Sequence, residues 1–316
     1  MITGAICLSH SPLIDHNRAD SATEAGWTEA VERAGHFAAA TASELAVIFY
    51  PDHLNGFLYN LLPAFCIGAG GFSIGDYGTA PGELDIAEEA AASCIAHCLA
   101  HDFDVAQSYR MPIDHGGAMA ITLLAGHADP ISIIPVFINC AALPRPSFAR
   151  ARALGKAIGD WARRRPERIL LIGSGGLSHD PPLPTIALSA GDEAARLREG
   201  GQMSFAARAA RQARTYAEGA MFAEGRSRLR PLNPDWDRHV MAAYARREFG
   251  GLEAASDDEI SADGGAGAHE LRCWHAALAA LAAEQGSYDI EDSFYAPVKE
   301  WITGMGIITA TSVVAG

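Results

Sequence analysis

The feature that most constrains the fold of this chain is a set of short, continuous apolar runs, each followed by a polar or turn-forming segment. These runs cover residues 2–8, 45–50, 131–138 and 168–172. Apolar runs of this length are typical of strands that are buried on both faces of a sheet. Helical patterns lie between them, at about 21–44, 83–101 and 146–164. Strands that alternate with helices predict an α/β protein.

The composition permits a large folded core and excludes several other classes of protein. The chain has 316 residues, of which 49% are hydrophobic and 20% charged. That balance belongs to a globular protein rather than to a disordered, collagen-like or coiled-coil chain. We predict one elaborated α/β domain over residues 1–316, with a central mixed sheet flanked by helices. Residues 192–230 are rich in Arg, Glu and Ala, and we predict a helical insertion at about 190–250.

The charge and the cysteines limit what the protein binds and where it works. With 38 acidic and 24 basic residues the net charge is −14, which repels nucleic acid and anionic membranes. No apolar run approaches the ~18 residues of a membrane span, and the N-terminus has no basic lead of a signal peptide. The six cysteines are scattered, without a Cys-x-x-Cys pair, as expected for reduced thiols. We therefore expect a cytoplasmic protein that binds neither nucleic acid nor membranes.

Histidines follow three of the predicted strands, at His10, His53 and His179. Ligands of open α/β sheets gather beyond the carboxyl ends of the strands, so a site is expected there. Glu270 opens a predicted helix after a glycine-rich segment, residues 261–268, which is predicted to be a flexible loop. Two neutral imidazoles and one carboxylate, with coordination positions left open, suit a non-haem ferrous centre. The plainer alternative is that such histidines are turn residues and that the glutamate only complements the helix dipole.

Other local patterns in the sequence are weaker evidence for a metal or catalytic site. Cys94, His97, Cys98 and His101 lie along one side of a predicted helix, but four ligands on one rigid helix do not easily form a tetrahedron around one ion. A half-buried helix face explains them better. The glycine-rich segment 173–176 lacks the third glycine of a dinucleotide fold and the Lys-Ser/Thr of a phosphate loop. It also lacks the Gly that a nucleophilic serine needs two positions before it.

Longer motifs, taken in chain order, are more specific. They are Leu8–Leu13, Pro51–Phe57, Asp114–Gly116 and Gly173–His179, with further matches at 74–78, 82–84, 135–139, 231–234 and 269–270. Together they resemble the class III extradiol ring-cleavage dioxygenases, and most closely the 2,3-dihydroxyphenylpropionate 1,2-dioxygenase family. The resemblance covers nearly the whole chain.

The resemblance implies the composition of the active site. It implies Fe²⁺ as the cofactor, bound by His10, His53 and Glu270. It also implies that His115 and His179 form an acid/base pair, in which His115 donates a proton and His179 accepts one.

The resemblance also implies the reaction, which is ring cleavage of 3-(2,3-dihydroxyphenyl)propionate, and of 2,3-dihydroxycinnamate, with O₂ to a 2-hydroxy-6-oxo-nonadienedioate product. Such a reaction serves the catabolism of aromatic compounds, and the family implies a homo-oligomer. Residues 117–121 are more apolar than the family pattern, so another 3-substituted or fused-ring catechol is an alternative substrate. A non-catalytic binding protein on the same fold and a metal-dependent hydrolase are further alternatives.

The motifs do not assign a role to two aspartates near the predicted site. Asp114 and Asp180 flank the predicted acid/base histidines, and either is a candidate for orienting its neighbour. The histidines outside these motifs are predicted to be surface or packing residues: His16, His36, His127, His239 and His275.

Overall fold

The strands of the protein form two sheets. The computed structural model describes residues 1–125 and 131–315. In chain order the strands are β1 (Ile2–Leu8), β2 (Leu45–Tyr50), β3 (Phe65–Gly68), β4 (Gly71–Ser73), β5 (Gly82–Glu83), β6 (Ala106–Ser108), β7 (Met111–Ile113), β8 (Ser132–Ile138), β9 (Ile169–Ser174), β10 (Gly286–Val298) and β11 (Thr303–Val314). The larger sheet has eight strands in the order β10-β11-β1-β9-β2-β8-β3-β6 within the described chain. The smaller sheet has the order β5-β4-β7.

The centre of the large sheet is parallel and its flanks are mixed. Strands β1, β9, β2 and β8 run parallel to one another, whereas β11 pairs antiparallel with β1 and β3 pairs antiparallel with β8. Every residue of β2 is buried, as expected of a strand covered on both faces. The predicted α/β class with a central mixed sheet is therefore confirmed.

Helices cover both faces of the sheet. In chain order they are α1 (Ser21–Ala40), α2 (Glu88–Ala100), α3 (His115–Ala125), α4 (Phe148–Ala162), α5 (Gly191–Glu199), α6 (Phe205–Ala223), α7 (Pro234–Ala245), α8 (Gly250–Ala254), α9 (Asp257–Gly264) and α10 (Leu271–Gln285). Alternate side chains of a strand point to opposite faces. Accordingly, Val47 joins the core under α2, α4 and α10, while Ile48 joins the core under α1 and α3.

Helix α10 lies close to α4 because α4 carries glycines at the contact. A Cβ atom at Gly155 would lie 2.1 Å from the carbonyl oxygen of Ala276, and one at Gly159 would lie 2.4 Å from that of Ala280. These distances leave no room for any side chain. The close contact fixes the axis of α10, and with it the position of Glu270 immediately before that helix.

Some predictions from the sequence need correction. The predicted flexible loop at 261–268 is wrong, because α9 extends to Gly264 and a 3₁₀ turn follows at Ala266–Glu270. Helix α9 begins with a capping box in which Ser256 and Glu259 bond each other's backbone N–H groups, a signal that marks a helix start. The predicted helix at 83–101 begins only at Glu88, because residues 82–83 form strand β5.

Residues 190–250 contain three helices, α5, α6 and α7, and the start of α8. Their helical content agrees with the sequence pattern, but their description as an insertion in a single domain stays a prediction. In the part of the chain that the structure describes, every helix is too short or too polar to cross a lipid bilayer.

Candidate metal centre and active site

The five residues predicted for the site come from five separate segments and meet at one edge of the large sheet. His10 follows β1, His53 follows β2 and His179 follows β9. These strands are neighbours and parallel, so their carboxyl ends lie side by side. His115 is the first residue of α3, and Glu270 directly precedes α10. All five side chains are buried.

Glycines after β9 let Glu270 reach this edge. A Cβ atom at Gly175 would lie 2.8 Å from both the Cβ atom and the carbonyl oxygen of Glu270. The backbone N–H of Gly176 donates a 2.9 Å hydrogen bond to Oε2 of Glu270. The glycine-rich segment that failed the phosphate and dinucleotide patterns therefore makes room for a carboxylate and binds it.

The ring of His10 is oriented through Ser174, the last residue of β9. The Ser174 hydroxyl donates to the carbonyl oxygen of Gly116, so it accepts the hydrogen bond of 3.0 Å from Nδ1 of His10. His10 therefore carries its proton on Nδ1 and presents the lone pair of Nε2. Ser174 serves as a positioning residue and not as a nucleophile.

Carboxylates orient the rings of His53 and His115. Nδ1 of His53 lies 3.0 Å from Oδ2 of Asp114, which also accepts a 2.9 Å hydrogen bond from the backbone N–H of His53. Nδ1 of His115 lies 2.7 Å from Oδ2 of Asp76. Asp114 is more distant from His115, with 3.7 Å between the same two atom types. The suggestion that Asp114 orients its neighbour is thus corrected, because Asp114 mainly holds His53 and Asp76 holds His115.

A backbone carbonyl orients His179. Its Nδ1 lies 2.9 Å from the carbonyl oxygen of Leu177, and its own backbone bonds to Gly264 and Gly267. The preceding residue, Ser178, donates through its backbone N–H and its hydroxyl to the buried carboxylate of Asp237. Asp180 does not contact the ring of His179, since its carboxylate accepts from the backbone N–H groups of Ala266 and Arg230. The suggestion that Asp180 orients His179 is therefore wrong.

Because each Nδ1 atom is held by a partner that orients its ring, Nε2 is the nitrogen of each ring that remains for a cation or a substrate. One nitrogen each of His10, His53 and His115 forms a group in which all three atoms lie within 4.8 Å of one another. The Glu270 carboxylate lies 3.2 Å from Nε2 of His53, 3.3 Å from Nε2 of His179 and 3.9 Å from Nε2 of His10. These donors are suited to bind a divalent cation.

The rings of His10, His53 and His115 differ in their orientation relative to one another. The rings of His53 and His115 are stacked, with centroids 4.2 Å apart and planes inclined by 20°. The His10 ring stands edge-on to His53, at an interplanar angle of 89°. Tyr77, a non-glycine residue with a positive φ of 48°, packs edge-on against His115 with centroids 4.6 Å apart.

Burial and neighbouring charges set the protonation of the site. Burial lowers the pKa of His10 to about 3, so the ring is neutral at physiological pH. Burial also opposes charge on His53 and His179, but the carboxylates of Asp114 and Glu270 raise the pKa of His53, and Glu270 raises the pKa of His179. Burial opposes charge on Glu270 too, yet His179 and His53 hold its pKa well below the usual value. The charges within the site therefore favour the ionised form of Glu270 and the protonated forms of His53 and His179.

His10, His53, His115 and His179 line an open cleft of about 530 Å³, a volume that includes the solvent at its mouth. Helix α6 contributes Arg211 and Thr215 to its lining, and the loop between β10 and β11 contributes Trp301 and Ile302. The hydroxyl groups of Tyr77 and Thr215 lie 3.0 Å apart. The motifs contain Asp76 and Ser174 without indicating what either residue does, and Arg211 is one of several arginines in residues 192–230 that are candidates for a carboxylate by charge alone.

The other histidines and cysteines in the described part of the chain are not among the residues that line this cleft. Cys94 and Cys98 are buried in the core, whereas His97 and His101 stack on each other outside it, so the helix-face interpretation agrees with the structure. His16 stacks on Tyr216 at the surface, and His275 packs edge-on against Phe249 in the core. His127 lies outside the described residues.

Known proteins resemble this chain over nearly its whole length. The family model described as the catalytic LigB subunit of aromatic ring-opening dioxygenase matches residues 4–306. A 2,3-dihydroxyphenylpropionate/2,3-dihydroxicinnamic acid 1,2-dioxygenase from a Rhodococcus species is 42% identical over 310 residues, which are 98% of each chain. Proteins of the same name from Burkholderia vietnamiensis and Paraburkholderia xenovorans are 45% and 43% identical, over 96% and 97% of each chain. The family indicated by the motifs is confirmed, and the chain belongs to the LigB family of ring-cleaving dioxygenases.

Proposed function

We propose that the protein opens the aromatic ring of 3-(2,3-dihydroxyphenyl)propionate, and of 2,3-dihydroxycinnamate, with O₂ in an Fe²⁺-dependent extradiol reaction. The names of the relatives support the substrate. The single observation that carries the chemistry is a cluster of four imidazoles, each oriented by a hydrogen bond at Nδ1, of which three lie beside the Glu270 carboxylate. This arrangement suits metal binding and proton transfer in one cleft.

His10, His53 and Glu270 are the proposed ligands of the metal. The ring of His10 stands edge-on to that of His53, with centroids 5.3 Å apart, and one nitrogen of each lies within 4.8 Å of the other. His115 stacks on His53 and has a nitrogen within the same distance, but the family resemblance implies that it transfers protons. Glu270 lies beside the rings of His10 and His53 and supplies negative charge to the cation. When bound, Fe²⁺ would bring the catechol oxygens and O₂ together and let charge pass between them.

His115 and His179 are the proposed acid/base pair. A catechol must lose a proton before ring cleavage, and the product oxygen must gain one later. We assign acceptance of the first proton to Nε2 of His179 in its neutral form, in which the Nδ1 proton is held by a carbonyl oxygen. We assign donation of the later proton to Nε2 of His115, whose Nδ1 bonds Asp76. Both rings border the same cleft as His10 and His53.

An oxygen electrode tests this proposal directly. Purified protein is loaded with Fe²⁺ under argon, mixed with 3-(2,3-dihydroxyphenyl)propionate in aerated buffer, and followed for O₂ uptake and a yellow product. We expect stoichiometric uptake, and little uptake by Glu270→Gln protein. Absence of uptake with this catechol and with other 3-substituted or fused-ring catechols would refute the proposal. It would favour a binding protein or a hydrolase.

The cellular context is also proposed. We place the protein in the cytoplasm as a homo-oligomer, with the catechol and O₂ as its small-molecule partners. All six cysteines are buried and unpaired within the described chain, which suits a reducing compartment.

A further inference from the structure

We propose that Arg211 binds the side-chain carboxylate of the substrate and so makes the enzyme select carboxylated catechols over uncharged ones. The inference rests on the proposed function, because it assigns a specificity residue to that same cleft. Arg211 is a buried cation whose hydrogen bonds go to neutral oxygens and not directly to a carboxylate.

Arg211 reaches the cleft from helix α6. Its Nη2 group donates a 2.8 Å hydrogen bond to the carbonyl oxygen of His53, and its Nη1 group donates a 2.9 Å bond to Oδ1 of Asn55. These bonds fix the guanidinium beside the loop that carries a proposed metal ligand. Among the described residues that line the cleft, Arg211 is the only arginine or lysine.

The guanidinium of Arg211 has no direct carboxylate partner among the hydrogen bonds of residues 1–125 and 131–315. The residue is 9% exposed, and its bonds lead to the carboxylates of Asp76 and Asp114 only through Asn55, whose Nδ2 donates to both. Both of its hydrogen-bond acceptors are neutral oxygens. Burying a cation without a direct counter-ion is costly, so an anion supplied by a ligand would relieve an existing cost.

The neighbouring hydroxyl groups have no proton to offer an anion. Thr215 donates its hydroxyl proton to the carbonyl oxygen of Arg211 at 3.1 Å. It must therefore accept the bond from the Tyr77 hydroxyl at 3.0 Å, which uses the Tyr77 proton as well. The guanidinium, by contrast, carries more N–H groups than its two bonds use. At this wall of the cleft, Arg211 is thus the group able to bind a carboxylate.

Arg196 provides a matched control. It donates a 3.1 Å hydrogen bond to the carbonyl oxygen of Leu54, the residue next to His53, but it is not part of the cleft lining. Arg196 therefore supports the same loop as Arg211 without facing the substrate. A role in holding the loop predicts similar effects for both arginines. A role in binding the carboxylate predicts an effect on specificity for Arg211 alone.

The test compares two substrates that differ in charge. We would measure kcat/KM for 3-(2,3-dihydroxyphenyl)propionate and for 3-propylcatechol with wild-type, Arg211→Gln, Arg211→Lys and Arg196→Gln proteins at equal iron loading. We expect Arg211→Gln to reduce the preference for the acid by ~10- to 150-fold, the range for one charge-assisted contact. Arg211→Lys, which keeps the charge but not the planar fork, should lie in between. Arg196→Gln should leave the preference unchanged.

A binding measurement separates this inference from the proposed function. Calorimetry of the full-length protein without added iron gives Kd for 3-phenylpropionate and for neutral 3-phenylpropanol, neither of which is a catechol. We expect Arg211→Gln to weaken binding of the acid at least ~10-fold and leave the alcohol unaffected. If wild-type protein cleaves no catechol but shows this dependence, the proposed reaction is wrong and the inference stands. An unchanged acid-to-alcohol ratio, or equal losses in Arg211→Gln and Arg196→Gln, would overturn the inference.

Discussion

Replacing Gly267 with alanine tests the position of His179 without removing any polar group. A Cβ atom at residue 267 would lie 2.1 Å from Nε2 of His179, whereas ordinary contact begins at 3.4 Å. The ring must therefore retreat by about 1.3 Å, because the backbone around it is close-packed. On the other side, a Cβ atom at Gly176 would lie 2.5 Å from Cε1 of the ring. His179 thus fills a slot between two backbone segments, and alanine at 267 closes it.

The expected result is a protein that keeps its iron and loses its turnover. A misplacement of about 1 Å at a reacting group costs about 100-fold in rate, so we expect kcat to fall ~100-fold in Gly267→Ala. Iron content should match the wild type, because the proposed ligands do not include His179. The assay combines O₂ uptake, iron content and thermal denaturation.

Gly251→Ala serves as the control for this substitution. A Cβ atom there meets no heavy atom within 4 Å, so its kcat should equal that of the wild type. Wild-type kcat in folded, iron-loaded Gly267→Ala protein would refute the role given to His179. Loss of iron would instead show that the substitution displaces a metal ligand, either His179 itself or Glu270, which lies 3.3 Å from its Nε2.

Further substitutions test the carboxylates and a buried histidine. Asp76→Asn weakens the 2.7 Å bond that orients His115, so turnover should fall at least ~10-fold while iron content, measured on the same sample, is unchanged. Glu270→Gln removes a proposed ligand, and iron affinity, measured by competition with a chelator, should fall more than ~100-fold. Burial lowers the pKa of His269 to about 3, so the folded protein keeps this ring neutral while the unfolded chain protonates it below pH 6.5. The free energy of unfolding that the neutral ring contributes is therefore full above pH 6.5 and is lost as the pH falls towards 3. Urea titration should show wild-type protein losing ~2 kcal/mol more than His269→Gln between pH 7.5 and 5; equal losses would contradict this.

The parts of the fold that sequence predicts best are those set by local pattern. Strands β1 and β2 begin and end where the apolar runs do, because a strand buried on both faces needs an unbroken apolar run. The positions of His10 and His53 follow, since parallel strands end at one edge of the sheet. The long hairpin of β10 and β11 was not predicted, because the exposed and buried residues of β10 do not alternate regularly.

Hydrogen-bond partners in the site follow from tertiary packing, which the order of residues does not reveal. Asp114 precedes His115 directly, yet its carboxylate is closer to the ring of His53 than to that of His115. Asp76 comes from a distant segment and holds His115. The direction of a side chain depends on where its backbone lies and which rotamer the surroundings permit. A motif therefore identifies Asp76 as part of the site, but only the fold assigns its partner.

The arginines of α6 also show that sequence alone does not identify the residue that determines substrate specificity. Arg208, Arg211 and Arg214 recur every three residues, and sequence alone makes them equal candidates for a carboxylate. In the fold, Arg208 donates to the carbonyl oxygen of Ile74, Arg214 is exposed, and Arg211 is buried at the cleft. Burying a guanidinium without a carboxylate partner costs free energy, so a residue of this kind is expected where function requires it. Burial therefore singles out Arg211 as the arginine of α6 that we propose to select a charged substrate.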